Sequence, residues 1–338
     1  MKKFLLPALA LALAGTAFAI EYKAKDSDWV RLPDIKNQPV NQHGDVQISS
    51  KGEVYVSTMD PNAGIMVFSQ DGKLLRSLSG VPNDFHGFVI RQRDGGEFIY
   101  GPRLTAQTIV KLTLDGKKVL EIPASAIPDQ YKSQIGATMK KGGKTVPNPD
   151  AGKRVLKMTG IDVAANGDIF VTDGYGIDYI HRFDKNGKYL KSFGGRGKAP
   201  YNFNSIHKIA IDTRFSPERI IALDRENRRI LHLSLDGDII GIVASDMLRP
   251  SGVAIRGEYA AIAEISGRVT LLDKAGKAVV HFGTNADTTQ INHNKTEPAK
   301  WKPGIVNSPH GITFNEKGDI FVSEYSQFGR VHLFVLRK

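Results

Sequence analysis

One pattern of apolar runs and polar turns recurs along the chain. It has a short apolar strand, a polar turn with glycine, and a strand of alternating apolar residues ending in Asp or Glu. A third strand, an Asp-x-Gly-Lys turn and a fourth strand follow. The pattern is clearest at Gly160-Ile161-Asp162-Val163, Asn166-Gly167-Asp168, Ile169-Phe170-Val171-Thr172-Asp173, Tyr179-Ile180-His181-Arg182-Phe183, Asp184-Lys185-Asn186-Gly187-Lys188 and Tyr189-Leu190-Lys191-Ser192-Phe193. The same register can be laid six times. Units open at His43-Gly44, His86-Gly87, Thr159-Gly160, His207-Lys208, Ser251-Gly252 and His310-Gly311. Their late turns carry Asp71-Gly72-Lys73, Asp115-Gly116-Lys117, Asn186-Gly187-Lys188, Asp236-Gly237-Asp238 and Ala275-Gly276-Lys277. Asp-Gly and Asn-Gly supply the positive-φ residues that a two-residue hairpin turn demands. Four-stranded repeats of roughly 40–45 residues are propeller blades. The sixth unit stops after Val331-His332-Leu333-Phe334-Val335-Leu336, one strand short, and Asp28-Trp29-Val30-Arg31-Leu32-Pro33 precedes the first unit. Borrowing that N-terminal strand closes the ring and removes an exposed edge. The pattern predicts an all-β fold: a six-bladed β-propeller whose last blade is closed by an N-terminal strand.

Residues 1–19 lie outside the repeat. Met1-Lys2-Lys3, an apolar run from Phe4 to Ala14 and a small-residue end at Ala17-Phe18-Ala19 are the three parts of a secretory signal peptide. The run is too short to span a bilayer, which takes about 20 residues. Cleavage after Ala19 leaves 20–338 as a single propeller domain, periplasmic or secreted, with no membrane insertion. The chain has no cysteine, so it has neither a disulfide nor a thiolate metal site. Its net charge of +11 favours anionic small molecules or acidic surfaces as partners. Export, and the lack of a basic helix or arginine-rich tract, argue against nucleic acid. Two insertions interrupt the repeat between blades, at 124–157 and 284–307. Long loops of this kind are functional or disordered. The first carries Lys140, Lys141, Lys144, Lys153 and Arg154, a lid suited to an anionic ligand.

Propeller topology brings the six unit-opening residues around the central channel on one face, with the ends of the second strands beside them. His86, His207 and His310 open blades two, four and six, so their imidazoles stand with near three-fold symmetry about one axis. That arrangement suits a metal held by three nitrogens with an open fourth position, zinc first and other divalent metals next. His43 has the same register in blade one and is a candidate fourth ligand or supporting group. His181, His232, His281 and His332 fall on or near outer strands. The second-strand ends add Arg103, Glu264, Glu324 and Tyr325. Arg103 and Arg225 are candidates to grip a carboxylate by paired hydrogen bonds. Tyr175 or Tyr325 is a candidate general base beside a metal. Asp173, Asp224, Glu264 and Glu324 share one register, which also suits plain anchoring of blade turns.

The repeat resembles NHL-type propellers over nearly the whole mature chain. Val171-Thr172-Asp173-Gly174-Tyr175, Asp224-Arg225-Glu226-Asn227-Arg228-Arg229-Ile230 and Ser308-Pro309-His310-Gly311-Ile312 resemble, more narrowly, the lyase domain of the peptidyl-α-hydroxyglycine α-amidating lyases. That resemblance implies zinc held by His86, His207 and His310, an active-site tyrosine at Tyr175 and an active-site arginine at Arg225. Two positions depart from it. A second arginine of the family falls at about Thr58, and an acidic residue that contributes to a structural calcium site falls at Gly311, which counts against calcium. The combined expectation is an exported, metal-dependent lyase, with hydrolysis as the next choice, acting on an anionic small molecule or peptide-like substrate. A non-catalytic periplasmic propeller that binds a ligand or a protein partner is the alternative.

Overall fold

The computed structural model describes residues 20–25 and 29–337. The export segment assigned to residues 1–19 lies outside the described residues. Five four-stranded antiparallel sheets follow one another along the chain. Blade one is Val46–Ile48, Val54–Ser57, Ile65–Phe68 and Leu74–Leu78. Blade two is Val89–Arg93, Gly96–Pro102, Ile109–Thr113 and Lys118–Ile122. Blade three is Gly160–Val163, Ile169–Thr172, Tyr179–Phe183 and Tyr189–Gly194. Blade four is Ile206–Asp212, Arg219–Asp224, Arg229–Leu233 and Ile239–Ala244. Blade five is Pro250–Arg256, Tyr259–Glu264, Arg268–Leu272 and Ala278–Phe282. Blade six is Pro309–Phe314, Ile320–Glu324 and Arg330–Arg337, completed from the N-terminus.

The closing strand starts earlier than the pattern predicts, and it is broken. Glu21–Ala24 pairs with Phe334 to Arg337, and Val30–Arg31 pairs with Arg330 and Val331. The last C-terminal strand is long enough to hold both pieces. Trp29 anchors the break: its ring lies edge-on to Phe68 and Phe321, so it ties blade one to blade six.

Second and third strands are buried along their length because neighbouring blades cover both faces, as in Ile169–Thr172 and Ile65–Phe68. Fourth strands face solvent on one side and alternate, as in Ile239–Ala244. Between blades the core is a wedge of branched and aromatic side chains, such as Ile206, Ile209, Ile220 and Phe203 between blades three and four.

The late turns differ from the two-residue form expected. Ser69 N–H donates to Lys73 O at 3.0 Å and Gly72 N–H to Ser69 O at 3.0 Å. This is a three-residue loop with glycine in the left-handed position. Gly72, Gly116, Gly187, Gly237 and Gly276 all have φ between 84° and 94°. The requirement for glycine is as the sequence predicts; the loop is one residue longer.

The first insertion is a small ordered subdomain. Ser133–Gln134 pairs with Arg154–Val155, and Thr138–Lys141 forms a hairpin with Lys144–Pro147. The second insertion is pinned by Trp301, whose ring lies 4.7 Å from the buried Arg330 guanidinium.

Candidate metal centre

The channel narrows where the blades open, and the six opening residues divide into two kinds. His86, His207 and His310 are fully buried and point to the axis. Their ring centroids form a near-equilateral triangle with sides of 4.9, 4.6 and 4.9 Å. Each ring is held by the next blade. His86 Nδ1 lies 2.9 Å from Thr159 O, His207 Nδ1 2.7 Å from Ser251 O, and His310 Nδ1 3.2 Å from Gly44 O. A carbonyl only accepts, so each Nδ1 carries the proton and each Nε2 is left with a lone pair.

Two of those lone pairs meet, and His207 Nε2 joins the cluster through the Tyr175 hydroxyl, 3.2 Å away. His310 Nε2 and His86 Nε2 are 3.2 Å apart. Two nitrogen lone pairs at that separation repel unless a cation lies between them. The edge of a tetrahedron with metal–nitrogen bonds of 2.0–2.1 Å is roughly 3.3 Å, so the spacing and donor set fit zinc. Burial, first, holds all three imidazoles well below the usual histidine range. The second influence is His43 for His86, Arg225 for His207 and His86 for His310. The rings are therefore neutral near pH 7, the form that binds metal.

His43 sits against one edge of the triangle, its centroid 4.6 Å from His86 and 4.9 Å from His310. One nitrogen from each of these three rings lies within 4.8 Å of the others. Burial and the Arg225 charge lower His43 to about 4. The Tyr325 ring lies 4.1 Å from its centroid. Among the described residues no carbonyl holds the His43 ring, unlike the three rings of the triangle.

Tyr175 closes the opposite side. Its hydroxyl is 3.0 Å from His86 Nε2 and 3.2 Å from His207 Nε2. Arg225 Nη1 donates to the same oxygen at 3.3 Å, and its guanidinium lies 5.3 Å from the tyrosine ring. Glu226 orients Arg225 through Nε at 2.9 Å and also binds Arg249 at 2.7 Å. Two cations thus share one carboxylate at the rim, which leaves positive charge for an anion.

Arg103 is not joined to this cluster. Its Nε donates to Asp84 at 2.9 Å, and among the described residues no hydrogen bond or ion pair links it to the histidines, Tyr175 or Arg225. Arg103 bridges Phe85, the residue before its blade's histidine, as Asp224 pairs with Ile206 and Glu324 with Pro309. It therefore occupies the anchoring register of Asp173, Asp224, Glu264 and Glu324. Those acids accept the N–H of the incoming linker at Lys157, Asn204, Leu248 and Asn307. In blade two the charges are exchanged, and Asp84 supplies the acid.

Beneath the histidines lies a pair that sequence reasoning missed. Lys208 crosses the channel and donates to Asp45, and both are buried. The signal was in the repeat: five blades have glycine after the opening residue, and blade four has Lys208. The glycines leave the room. A Cβ at Gly311 would stand 2.5 Å from Asp45 Oδ1, and one at Gly87 would stand 3.0 Å from Lys208 Nζ. Asp45 has its cationic partner in that ammonium, and position 311 cannot carry a carboxylate, so the donors do not fit calcium there.

A family model described as a 6-bladed beta-propeller matches residues 157–294. A probable peptidyl-α-hydroxyglycine α-amidating lyase of Caenorhabditis elegans is 26% identical over 195 residues, which cover 55% of this chain and 51% of that protein. The match thus spans about half the length of the curated relative. A streptogramin B lyase structure aligns over 94% of this chain and 97% of its own, at 15% identity and a TM-score of 0.56. A catalytically inactive virginiamycin B lyase of Staphylococcus aureus with quinupristin aligns over 94% and 100%, at 18% identity and a TM-score of 0.57. At such identities these structures speak for the fold alone. The chain is a six-bladed β-propeller with distant sequence homology to peptidyl-α-hydroxyglycine α-amidating lyase.

Proposed function

We propose that the three-histidine cup is the metal centre of an exported lyase acting on an anionic small molecule or peptide-like substrate. The observation that carries this reading is the convergence of His86 Nε2 and His310 Nε2 at 3.2 Å, with all three Nδ1 atoms held by carbonyls. His86, His207 and His310 would hold a zinc ion, which would supply Lewis-acid polarisation of a substrate oxygen. Arg225 holds the anionic group, with Glu226 fixing its plane. Tyr175 relays the proton of a substrate hydroxyl: its phenol oxygen accepts that proton as it gives its own to the leaving group. The O–H electron pair closes a C=O bond, and the neighbouring bond breaks with its electrons passing to the leaving group. The buried cup excludes bulk water, which favours elimination over hydrolysis.

The lyase-named homologue adds weight to the reaction class, and the apolar run ahead of Ala19 to the exported location. Elemental analysis of the purified protein tests the centre. About one zinc per chain is expected, and none in a folded variant with His86, His207 and His310 all changed to alanine. A wild-type protein that stays metal-free after incubation with zinc would sink the reading. Release of the mature chain by osmotic shock, with cleavage after Ala19, tests the location.

A further inference from the structure

The cup is not the only concave surface on its face. A groove of about 440 Å³ lies between blade two and the first insertion, lined by Leu104, Gln107, Ile135, Val155, Leu156 and Lys157 among others. Its size is within the range of ligand sites. It abuts the His86–Tyr175 edge of the cup. On one wall, Leu104 N–H donates to Asp84 O at 2.9 Å, two residues before His86. On the other, Lys157 O accepts from Tyr175 N–H at 3.2 Å. Leu156 N–H to Gln107 Oε1, at 2.7 Å, joins the two walls.

Lys157 is the one charged side chain lining the groove among the described residues, and the hairpin that continues from its wall at Gly136 and Asn148 adds further lysines. The insertion's acids, Asp129 and Asp150, are already paired with Lys132 and Lys153. Lys140 donates to Thr145, and Arg154 donates to the carbonyl of Lys132 and lies near enough to Asp129 to help hold its carboxyl down. Among the described residues Lys141, Lys144 and Lys157 make no ion pair. The Thr138–Lys141 and Lys144–Pro147 hairpin has solvent on nearly every side chain. Its one apolar cross-strand pair, Met139 with Val146, leaves Met139 39% exposed. A free two-stranded hairpin is marginal in water, and one of like charge is less favourable still.

We propose that this groove and its lysine hairpin form an extended subsite that takes a linear peptide-like chain bearing acidic side chains. The reacting end lies in the cup, apolar segments contact Leu104, Ile135 and Val155, and carboxylates meet Lys157 and the hairpin lysines. The orientation rests on the metal-cup reading; the binding itself does not.

The probe is a fluorescein-labelled hexapeptide of alternating alanine and glutamate, beside its alanine–glutamine counterpart, read by anisotropy on zinc-loaded and chelator-treated protein. The acidic peptide should bind at least tenfold tighter at low salt, and most of that difference should vanish near 0.5 M salt, where screening is short-ranged. A K140E/K141E/K144E variant, changed only at surface positions, should lose at least tenfold with zinc content unchanged. Leu104→Glu should weaken the acidic peptide in the same sense. Equal affinity for both peptides, or no loss in the triple variant, overturns the proposal. So does displacement by free glutamate at the concentration at which unlabelled hexapeptide displaces, since the ligand is then a compact anion. Selective peptide binding by a protein that takes up no zinc would remove the cup reading and leave the subsite; zinc uptake without selective binding would do the reverse.

Discussion

Even and odd blades of this ring do different work with the same register. Blades two, four and six open on His86, His207 and His310, whose Nε2 atoms face the axis. Blades one, three and five supply the carbonyls of Gly44, Thr159 and Ser251 that hold those rings. The hydroxyls of the odd blades turn sideways: Thr159 donates to Ile206 O at 3.1 Å and Ser251 to Pro309 O at 2.7 Å. Each odd blade thus orients the histidine before it, and blades three and five also staple the linker of the blade after them. A propeller closed in this way makes a metal-ready triangle from backbone that must be there anyway. The comparison predicts that changes on even blades remove metal, while changes on odd blades cost stability and leave metal in place.

The largest expected effect is on the even side. His86→Ala should lower bound zinc from about one to below about a tenth per chain, because His86 belongs both to the triangle and to the group it forms with His43 and His310. Inductively coupled plasma analysis after dialysis reads it; retained zinc would break the even–odd division. Acid should follow. The free imidazoles are held below their ordinary value of about 6.5, His43 at about 4. Between those pH values the unfolded chain binds protons that the folded chain refuses, so stability falls as pH falls through this window. Asp173, raised to about 7 by burial, works in the opposite direction, as do Asp45, Asp178 and Asp224, while His181 and His281 act with the four cup imidazoles. The melting temperature of metal-free protein should therefore drop from pH 7 to pH 4, and less steeply when all three channel histidines are alanine. A flat profile would refute the neutral-imidazole assignment.

Substitution of the glycines comes next. Gly311→Ala places a methyl 2.5 Å from Asp45 Oδ1 and 2.6 Å from Ser323 Oγ. Overpacking of this kind costs about 1–3 kcal/mol. Denaturant melts should show the loss, and in an Asp45→Ala background, itself destabilised by the orphaned Lys208 ammonium, the further cost of Gly311→Ala should be smaller. Ser251→Ala removes a buried hydroxyl bonded to Pro309 O and Ala263 O. About 1 kcal/mol is expected, with zinc retained. Zinc loss in that variant would show that the staple and the metal site are one unit.

How much of this was legible depends on whether a residue acts through the repeat or across it. The blades, their glycine turns and the axial placement of His86, His207 and His310 follow from register, because every blade repeats it. Tyr175 and Arg225 follow from local motifs. Arg103 misled because a one-residue shift at a strand end separates the anchoring position from the cup position, and apolar alternation does not fix that end. In blade two the cup position is Leu104. Lys208 and Asp45 were visible as exceptions to the repeat, but their partnership spans 163 residues and only the closed ring brings them together. The early start of the closing strand was hidden because Glu21–Ala24 is half polar, as an edge strand facing solvent should be.

His43 sharpens the comparison most, although its expected effect is the smallest. It belongs to an odd blade, yet its ring lies against His86 and His310. With His43 as a fourth ligand the metal would be closed in, as structural zinc is; without it one position stays open for substrate. The triangle's rings are each fixed by a carbonyl at Nδ1, whereas His43 rests on the Tyr325 ring. His43→Ala should therefore keep about one zinc per chain, with affinity reduced less than tenfold in a chelator competition. Cobalt substitution gives a second readout: visible bands that shift on adding a small anion to the wild-type protein mark an open position. Loss of metal in His43→Ala, together with anion-insensitive cobalt bands in the wild type, would make the centre a four-histidine structural site. The lyase reading would then fall while the fold and the even–odd division of labour stood.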